Sequence, residues 1–317
     1  MKFLAAAVSA AVTAGATVSL FAYAHAHRYV VRHRRLDIPD VAAHVTSQDG
    51  IPPLRILHLS DMHLVAADKS RADFLRALRH ENPDFVITTG DFVGENAGIE
   101  AVLDALDPLL DLPGAFVFGS NDYYGSRPKN PFSYLIRDSS SDGHENRAIL
   151  DSQRLRSGLT DRGWFDLTNT TATTTVAGHD LELFGVDDPH MGRDRMPHLD
   201  TRPDGVLRIG VTHAPYISVL DEMHATQAQI IFSGHTHGGQ VSLPGGRALV
   251  TNCDLPTPFA HGLFQWPPSG RILTADGDMR LPSGATAVSL SAGIGTSPYV
   301  PLRLFTAPEA IVLDIYR

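Results

Sequence analysis

The stretch Ile231-Phe232-Ser233-Gly234-His235-Thr236-His237-Gly238-Gly239-Gln240-Val241 decides how the rest of the chain reads. An apolar β-type run ends in two histidines two positions apart, and paired glycines follow at once. If the strand continues through both histidines they share a face, because side chains alternate along a strand. If the chain turns instead, the glycines supply backbone angles closed to other residues, and the two rings can still converge. Either geometry suits a metal, for which neutral imidazole is a common ligand.

Outward from this stretch the same arrangement recurs. Residues 54–59 read as a buried strand and run into Ser60-Asp61-Met62-His63. The β-rich run 85–89 ends in Gly90-Asp91, 115–118 leads into Gly119-Ser120-Asn121-Asp122, and 206–212 leads into His213-Ala214-Pro215. Helices are expected over 71–80 with Ser70 as N-cap, over 97–110 with a stop near Pro108 or Pro113, and over 151–161. Further strands are expected at 171–176, 181–186, 230–232, 248–251, 286–290 and 310–315. The strand, helix, strand order suggests a layered α/β protein whose site collects at the carboxyl ends of its strands. So many strands are accommodated by two stacked sheets flanked by helices. Residues 125–143 show weak periodicity and read as an excursion.

Composition narrows the chemistry. The 317 residues are 43% hydrophobic, enough for a core, and carry a formal charge of −9. Residues 1–36 hold five basic groups and no acid, so the remainder has 21 basic against 35 acidic residues. An acidic body argues against nucleic-acid binding. It leaves room for a phosphate substrate, because bound divalent cations reverse the local sign. The single Cys253 excludes an internal disulfide and a zinc-ribbon pair, so any metal is held by nitrogen and oxygen.

Residues 3–24 are uncharged and rich in Ala, Val and Leu, long enough at ~1.5 Å per residue to span roughly 33 Å. We read 1–26 as an uncleaved membrane anchor, because the run is long for a signal peptide and its basic residues follow it. Export after signal cleavage is the alternative. Residues 27–53 read as a basic juxtamembrane linker and 54–317 as the catalytic domain, facing the cytoplasm by the positive-inside rule.

Asp61, His63, Asp91, Asn121, His213, His235 and His237 thus all follow apolar β-type runs. The sequence here resembles the calcineurin-like metallophosphoesterases: Asp61-Met62-His63 matches Asp-x-His, Gly90-Asp91 the Gly-Asp block, His213 the isolated histidine, and Gly234-His235-Thr236-His237 Gly-His-x-His. The run Gly185-Val186-Asp187-Asp188-Pro189-His190 and the closing Gly293-Ile294-Gly295-Thr296-Ser297 with Pro308-Glu309 resemble a bacterial membrane-anchored phosphodiesterase branch. The resemblance implies a four-layer α/β/β/α sandwich behind an N-terminal transmembrane helix. It also implies a first metal on Asp61, His63 and His237, a second on Asn121, His213 and His235, and Asp91 bridging them. Two such cations, of Mn, Fe or Zn, sit roughly 3.5–4 Å apart and generate a bridging hydroxide for in-line attack.

One block departs from the family, which usually reads Gly-Asn-His before an acidic residue. With Asn121 as ligand, Asp122 takes the place of the histidine near the leaving group. On the other alignment Ser120 takes the ligand's place and Asn121 the histidine's. The first is preferred, since an amide oxygen binds a divalent cation better than a serine hydroxyl. The catalytic set is then Asp91, Asn121 and Asp122, with His190 as a replacement general acid. Arg303 is a candidate phosphate ligand, and His58, in mid-strand, a core or supporting residue. Tyr123 and Tyr124 are read as packing residues that lie near the substrate. The expected function is hydrolysis of a phosphodiester or diphosphate bond, in a phospholipid or lipid-linked substrate. Soluble diesters such as cyclic nucleotides, or a metal-holding scaffold role, are the alternatives.

Overall fold

Leu54 and Ile56 are fully buried on one face of their strand and Leu57 and Leu59 on the other, so this strand lies in a layer covered on both sides. The computed structural model describes residues 2–39, 52–126, 147–268, 277–296 and 301–317, with backbone only for 2–12 and 14. Its helices are α1 (Lys2–Ala26), α2 (Lys69–Ala77), α3 (Gly98–Leu110), α4 (Ser120–Tyr123), α5 (Ser152–Thr160) and α6 (Ile217–Ala225). Strands β1 (Val30–Asp37), β2 (Leu54–Leu59), β3 (Phe85–Thr88), β4 (Gly114–Phe116) and β5 (Phe165–Asp166) belong to a first sheet. Then come β6 (Thr170–Val176), β7 (His179–Gly185), β8 (Leu207–Val211) and β9 (Ile230–Ser233) of a second. A small hairpin, β10 (Ser242–Leu243) and β11 (Arg247–Ala248), precedes β12 (Gly262–Trp266), β13 (Met279–Arg280), β14 (Thr286–Leu290) and β15 (Glu309–Tyr316).

The first sheet runs β13-β1-β15-β2-β3-β4-β5 and the second β12-β14-β9-β8-β7-β6. Both are mixed: β2, β3 and β4 are parallel while β15 is antiparallel to β2, and β14, β9, β8 and β7 are parallel between antiparallel edges. One core lies between the sheets, where Leu54, Ile56, Phe85 and Ile87 meet Leu183, Ile209, Ile230 and Phe232. A second packs α2, α3 and α5 on the outer face of the first sheet, and a third packs α6 on the outer face of the other. The layers are therefore α/β/β/α. Each fully buried Leu, Ile or Phe contributes about 1.5–3 kcal/mol, and the three cores together set the strand ends that carry the site.

Helix α3 shows why these residues fold as they do. Ile99, Val102, Leu106 and Leu109 return every three or four positions to one buried stripe. The helix continues through Pro108 to Leu110, and Pro108 there forgoes the bond to the Asp104 carbonyl only two residues before the helix ends. Helix α2 is capped by Asp68, whose side chain accepts from the Arg71 N–H, and not by Ser70, which lies inside it.

The expected linker over 27–53 is corrected in its first part, since β1 is an interior strand paired in parallel with β15 over eight positions. Its basic residues hid this. Arg32 and Arg34 lie 3.5 and 3.7 Å from the Glu309 carboxylate, and Arg35 stacks 3.9 Å from the centre of the Tyr316 ring. Those partners arrive 280 residues later in the sequence, on β15. The rest of the expected linker, 40–51, lies outside the described residues, as do 127–143 of the excursion and Ser297. Helix α1 spans 25 residues, and among the described residues no helix is long and apolar enough to cross a membrane. Its last turns dock on the body: Ala22 and Ala26 are buried, and the Ala22 carbonyl accepts from the Arg303 N–H.

Candidate metal centre

Every strand that feeds the site points its carboxyl end at the same place. Asp61 and His63 follow β2, Asp91 follows β3, Asn121 opens α4 after β4, His213 follows β8, and His235 and His237 follow β9. The chain turns at these points. Asp61, His63, Asp91, His235 and His237 have φ of 49°, 43°, 55°, 72° and 50°, all left-handed. For non-glycine residues this costs on the order of 1–3 kcal/mol each, and it persists only where neighbours over-determine the backbone. Here they do: Asp61 N–H donates to the Gly90 carbonyl at 3.0 Å, His63 N–H to that of Asp91 at 2.9 Å, and Gly234 N–H to that of His213 at 2.9 Å. Close packing completes the cradle, since a Cβ on Gly293 would stand 2.7 Å from that of Asp61.

The side chains converge in two nests. Asp61, His63 and His237 offer ligand atoms within 4.8 Å of one another, and so do Asp61, Asp91 and His213. His63 Nε2 is 3.2 Å from His237 Nε2 and 3.5 Å from Asp91 Oδ2, and His213 Nε2 is 3.6 Å from the same oxygen. His235 Nδ1 is 3.3 Å from His213 Nε2. Three of the four outward nitrogens are spoken for: His213 Nδ1 donates to the Thr89 carbonyl, His235 Nε2 to that of Asn252, and His237 Nδ1 to that of Gly295, while His63 Nδ1 is buried without a partner. Those bonds turn each of these rings so that its inward nitrogen can offer a lone pair once it carries no proton. Asp61 is divided likewise. Its Oδ2 accepts from Ser60 Oγ and from the His235 N–H, while Oδ1 is buried, has no hydrogen-bond partner and stands 3.5 Å from His237 Nε2. Lone pairs and a bare carboxylate oxygen facing one another across about 3.5 Å fit divalent cations held by nitrogen and oxygen.

Electrostatics follow from burial. Desolvation pushes His63 down and His235 and His237 well below the ordinary imidazole range, so these rings are neutral ligands. Burial opposes charge on His213 too, but Asp91, Asp188 and Asp61 outweigh it and raise its pKa to about 9. Asp91 is pulled the other way: against the cost of burial, His213, His63 and two hydrogen bonds from Asn121 hold it below the usual carboxylate range. Asp188 is fully buried, pushed up to about 7 by that burial, and caps the turn of His190 through its Oδ1.

The structure brings Asp61, His63, Asp91, His213, His235 and His237 together as the strand ends suggested. Asn121 arrives as well, though its amide nitrogen donates to Asp91 Oδ2 at 2.7 Å while its oxygen accepts from Arg147 at 2.7 Å. The His190 ring lies 4.7 Å from that of His235, with Nδ1 3.0 Å from the Tyr216 hydroxyl. Two expectations are corrected. Asp122 does not face the site: it is fully buried and accepts from the N–H groups of Asp91, Phe92 and Gly119 at 2.7–3.0 Å. Burial and the Asp91 charge push its pKa up, and the backbone donors of Gly119 and Phe92 and the nearby His213 pull against them. Arg303 is no phosphate ligand either. It is fully buried and spends its guanidinium on the carbonyls of Ala292, Gly293 and Gly295, behind His237.

His58 is the supporting residue that the sequence marks, and the others escape sequence reading because they act across the fold. His58 contacts Thr89, whose hydroxyl donates to Ser60, which in turn donates to Asp61. Arg71 donates to the carbonyls of Met62 and His63, and Glu309 accepts from the Ala292 N–H. The only sequence signal for these was their place beside a motif, as with Ser60, or a charge inside an apolar run, as with Arg303.

Stacked mixed sheets whose strand ends deliver buried carboxylates and imidazoles into two adjoining nests define a metal-dependent phosphoester hydrolase. The family profile described as "Calcineurin-like phosphoesterase" matches residues 54–239, and the chain belongs to that family. It is 24% identical over 311 residues to the uncharacterized metallophosphoesterase YkuE of Bacillus subtilis, covering 96% of this chain and 93% of that one. It is 26% identical over 229 residues to YkoQ of the same organism, named an uncharacterized metallophosphoesterase, covering 70% and 76%. To the phosphodiesterase YaeI of Escherichia coli it is 25% identical over 238 residues, covering 72% and 75%.

Proposed function

We propose that the protein is a dinuclear phosphodiesterase that cleaves a phosphodiester or diphosphate bond in a membrane-borne substrate. The observation that carries the chemistry is the shared carboxylate edge: Asp91 Oδ2 stands within 3.6 Å of both His63 and His213, one from each nest. Asp61, His63 and His237 would hold one cation, and His213 and His235 with Asn121 the other, with Asp91 between them. When bound, such cations supply Lewis-acid activation of the phosphoryl group and a nucleophile at neutral pH. The chain does the rest. Ser60 and the His235 N–H fix the Asp61 carboxylate, and the carbonyls of Thr89, Asn252 and Gly295 orient the rings. His190, held against Tyr216 beside His235, delivers the proton that the leaving group needs.

The membrane part of the reading rests on α1 and its surroundings. Leu20, Phe21 and Tyr23 are exposed, 71% in the case of Leu20, and Phe305 beside Phe21 is exposed as well. An apolar surface of this kind next to the turn that carries His237 supports contact with lipid. We accordingly assign the protein to the cell membrane through α1, with the catalytic domain on the cytoplasmic side.

The test is a full-length preparation whose metal content is measured, then assayed on a chromogenic phosphodiester and monoester under Mn, Fe and Zn. Two metals per chain and preferential diester turnover are expected. Metal bound without turnover above an Asp91→Asn control would favour the scaffold role instead. Equal turnover of a phospholipid analogue in vesicles and in dilute detergent monomers would remove the membrane-borne substrate.

A further inference from the structure

The His235 side of the centre carries a cation that neither the fold nor the metal ligands use. Arg193 lies three residues past His190, just after the turn Pro189–Met191 and the left-handed Gly192. Its backbone is pinned: the N–H donates to the Asp188 carbonyl at 3.3 Å, and its carbonyl accepts from Asn169 at 3.1 Å. Its guanidinium carbon lies 4.5 Å from the centre of the Tyr123 ring and 5.9 Å from that of Tyr124, with Nη2 3.4 Å from the Tyr124 hydroxyl. Tyr123 is itself held by its hydroxyl, which donates to Asp187 at 2.9 Å.

Several half-buried or buried arginines of this acidic chain find acids, Arg55 with Asp314, Arg71 with Asp68, Arg156 with Asp166 and Arg208 with Glu182, while Arg303 is held by backbone carbonyls. Among the described residues Arg193 pairs with none. A guanidinium laid on aromatic faces keeps its in-plane N–H donors free, and their fork matches phosphate. The position is tied to the centre from both flanks. Tyr123 follows Asn121 within one short helix and Tyr124 stands just past its end, and Arg193 shares a turn with His190, whose ring is 4.7 Å from that of His235.

We propose that Arg193, with the Tyr124 hydroxyl, binds a second phosphoryl group of the substrate next to the scissile one, which makes the preferred substrate a diphosphate ester. This rests on the phosphoesterase reading above. In the hydrolysis a water oxygen bonds to the phosphorus at the metal centre and the bond from that phosphorus to the bridging oxygen breaks. The bridging oxygen leaves with its electron pair as part of a phosphate monoester and takes the proton that His190 delivers, the attacking water gives up a proton to solvent, and Arg193 faces the charge that gathers on the leaving phosphate.

The experiment compares the full-length protein with Arg193→Ala, Arg193→Lys and Tyr124→Phe, loaded with Mn, on bis(p-nitrophenyl) phosphate and on a uridine diphosphate sugar. The ratio of kcat/KM for the diphosphate ester to that for the diester is expected to fall roughly ten- to hundredfold in Arg193→Ala, the loss of one charge-assisted contact. Arg193→Lys should recover part of it, and Tyr124→Phe should fall between. Unfolding midpoints of the variants exclude a folding cause. An unchanged ratio with an active parent protein overturns the subsite alone. A parent protein without metal-dependent turnover of either ester overturns the phosphoesterase reading and the subsite with it.

Discussion

Replacing Asp122 by asparagine separates a carboxylate that holds the fold from one that does chemistry. In the native protein Oδ2 accepts from the N–H groups of Asp91 and Gly119, and Oδ1 from that of Phe92. Asparagine has the same shape but a single acceptor oxygen. With that oxygen on the two-donor side, its NH2 faces the Phe92 N–H. One buried donor is then left without an acceptor, at a cost of about 1–3 kcal/mol, and the two surviving bonds lose charge assistance, about 0.5–1 kcal/mol each. The total is about 2–5 kcal/mol. At roughly 2–4 °C per kcal/mol for a chain of this size, the unfolding midpoint should drop by about 4–20 °C. The left-handed Asp91 is anchored by one of these bonds, so metal loading should weaken as well. The assay is thermal unfolding with and without Mn, together with diester turnover per bound metal well below either midpoint. A midpoint within about 1 °C of the parent, combined with turnover per loaded site down more than about a hundredfold, would refute the structural role.

Three further outcomes follow from the site. Asp91→Asn should cut metal affinity by more than about a hundredfold, beyond the loss typical of an outer partner, and equilibrium metal titration reads this directly. His213 must shed a proton to bind a cation, and its pKa is raised to about 9. Apparent affinity should therefore rise about tenfold per pH unit between pH 6 and 8, and a flat calorimetric profile would contradict it. The same shift has an opposite sign for the metal-free protein: its contribution to stability is full below the unfolded imidazole pKa of about 6.5 and is lost as pH rises through about 9. Arg303→Lys keeps the charge, but the shorter side chain draws its nitrogen back from the carbonyls of Ala292, Gly293 and Gly295, which Nη2 alone serves, and loses the Nη1 contact to the His237 carbonyl. It should lower stability by about 2–4 kcal/mol while leaving KM for a diester near the parent value, and a selective rise in KM without destabilisation would restore the phosphate-ligand role.

What could be read in advance was whatever depends on local alternation. Strands 54–59 and 286–290 are bounded as expected, because apolar runs of that length closed by turn residues have few other solutions. The ligand set was readable for the same reason, each member ending such a run. Contacts between distant segments stayed hidden. Nothing near Arg34 announces Glu309, so β1 looked like a charged linker, and nothing near Asp122 announces the Asp91 and Phe92 amides that reach it from the loop after β3. The choice between a continuing strand and a turn at His235 was open in sequence. The left-handed angles at His235 and His237 settle it for the turn, and the paired glycines serve the backbone beyond it.

The placement of β1 bears on where the molecule can be divided. Because β1 lies between β13 and β15, a chain begun after residue 47 would strip an interior strand from the first sheet. The long flank of β15 would become an unpaired edge, a template for joining other chains, and Glu309 would lose the arginines that face it. The severable part of the N-terminus is thus only α1, and even that cut removes the Ala22 carbonyl from Arg303. The helix expected merely to tether the enzyme is seated against the wall of its own centre.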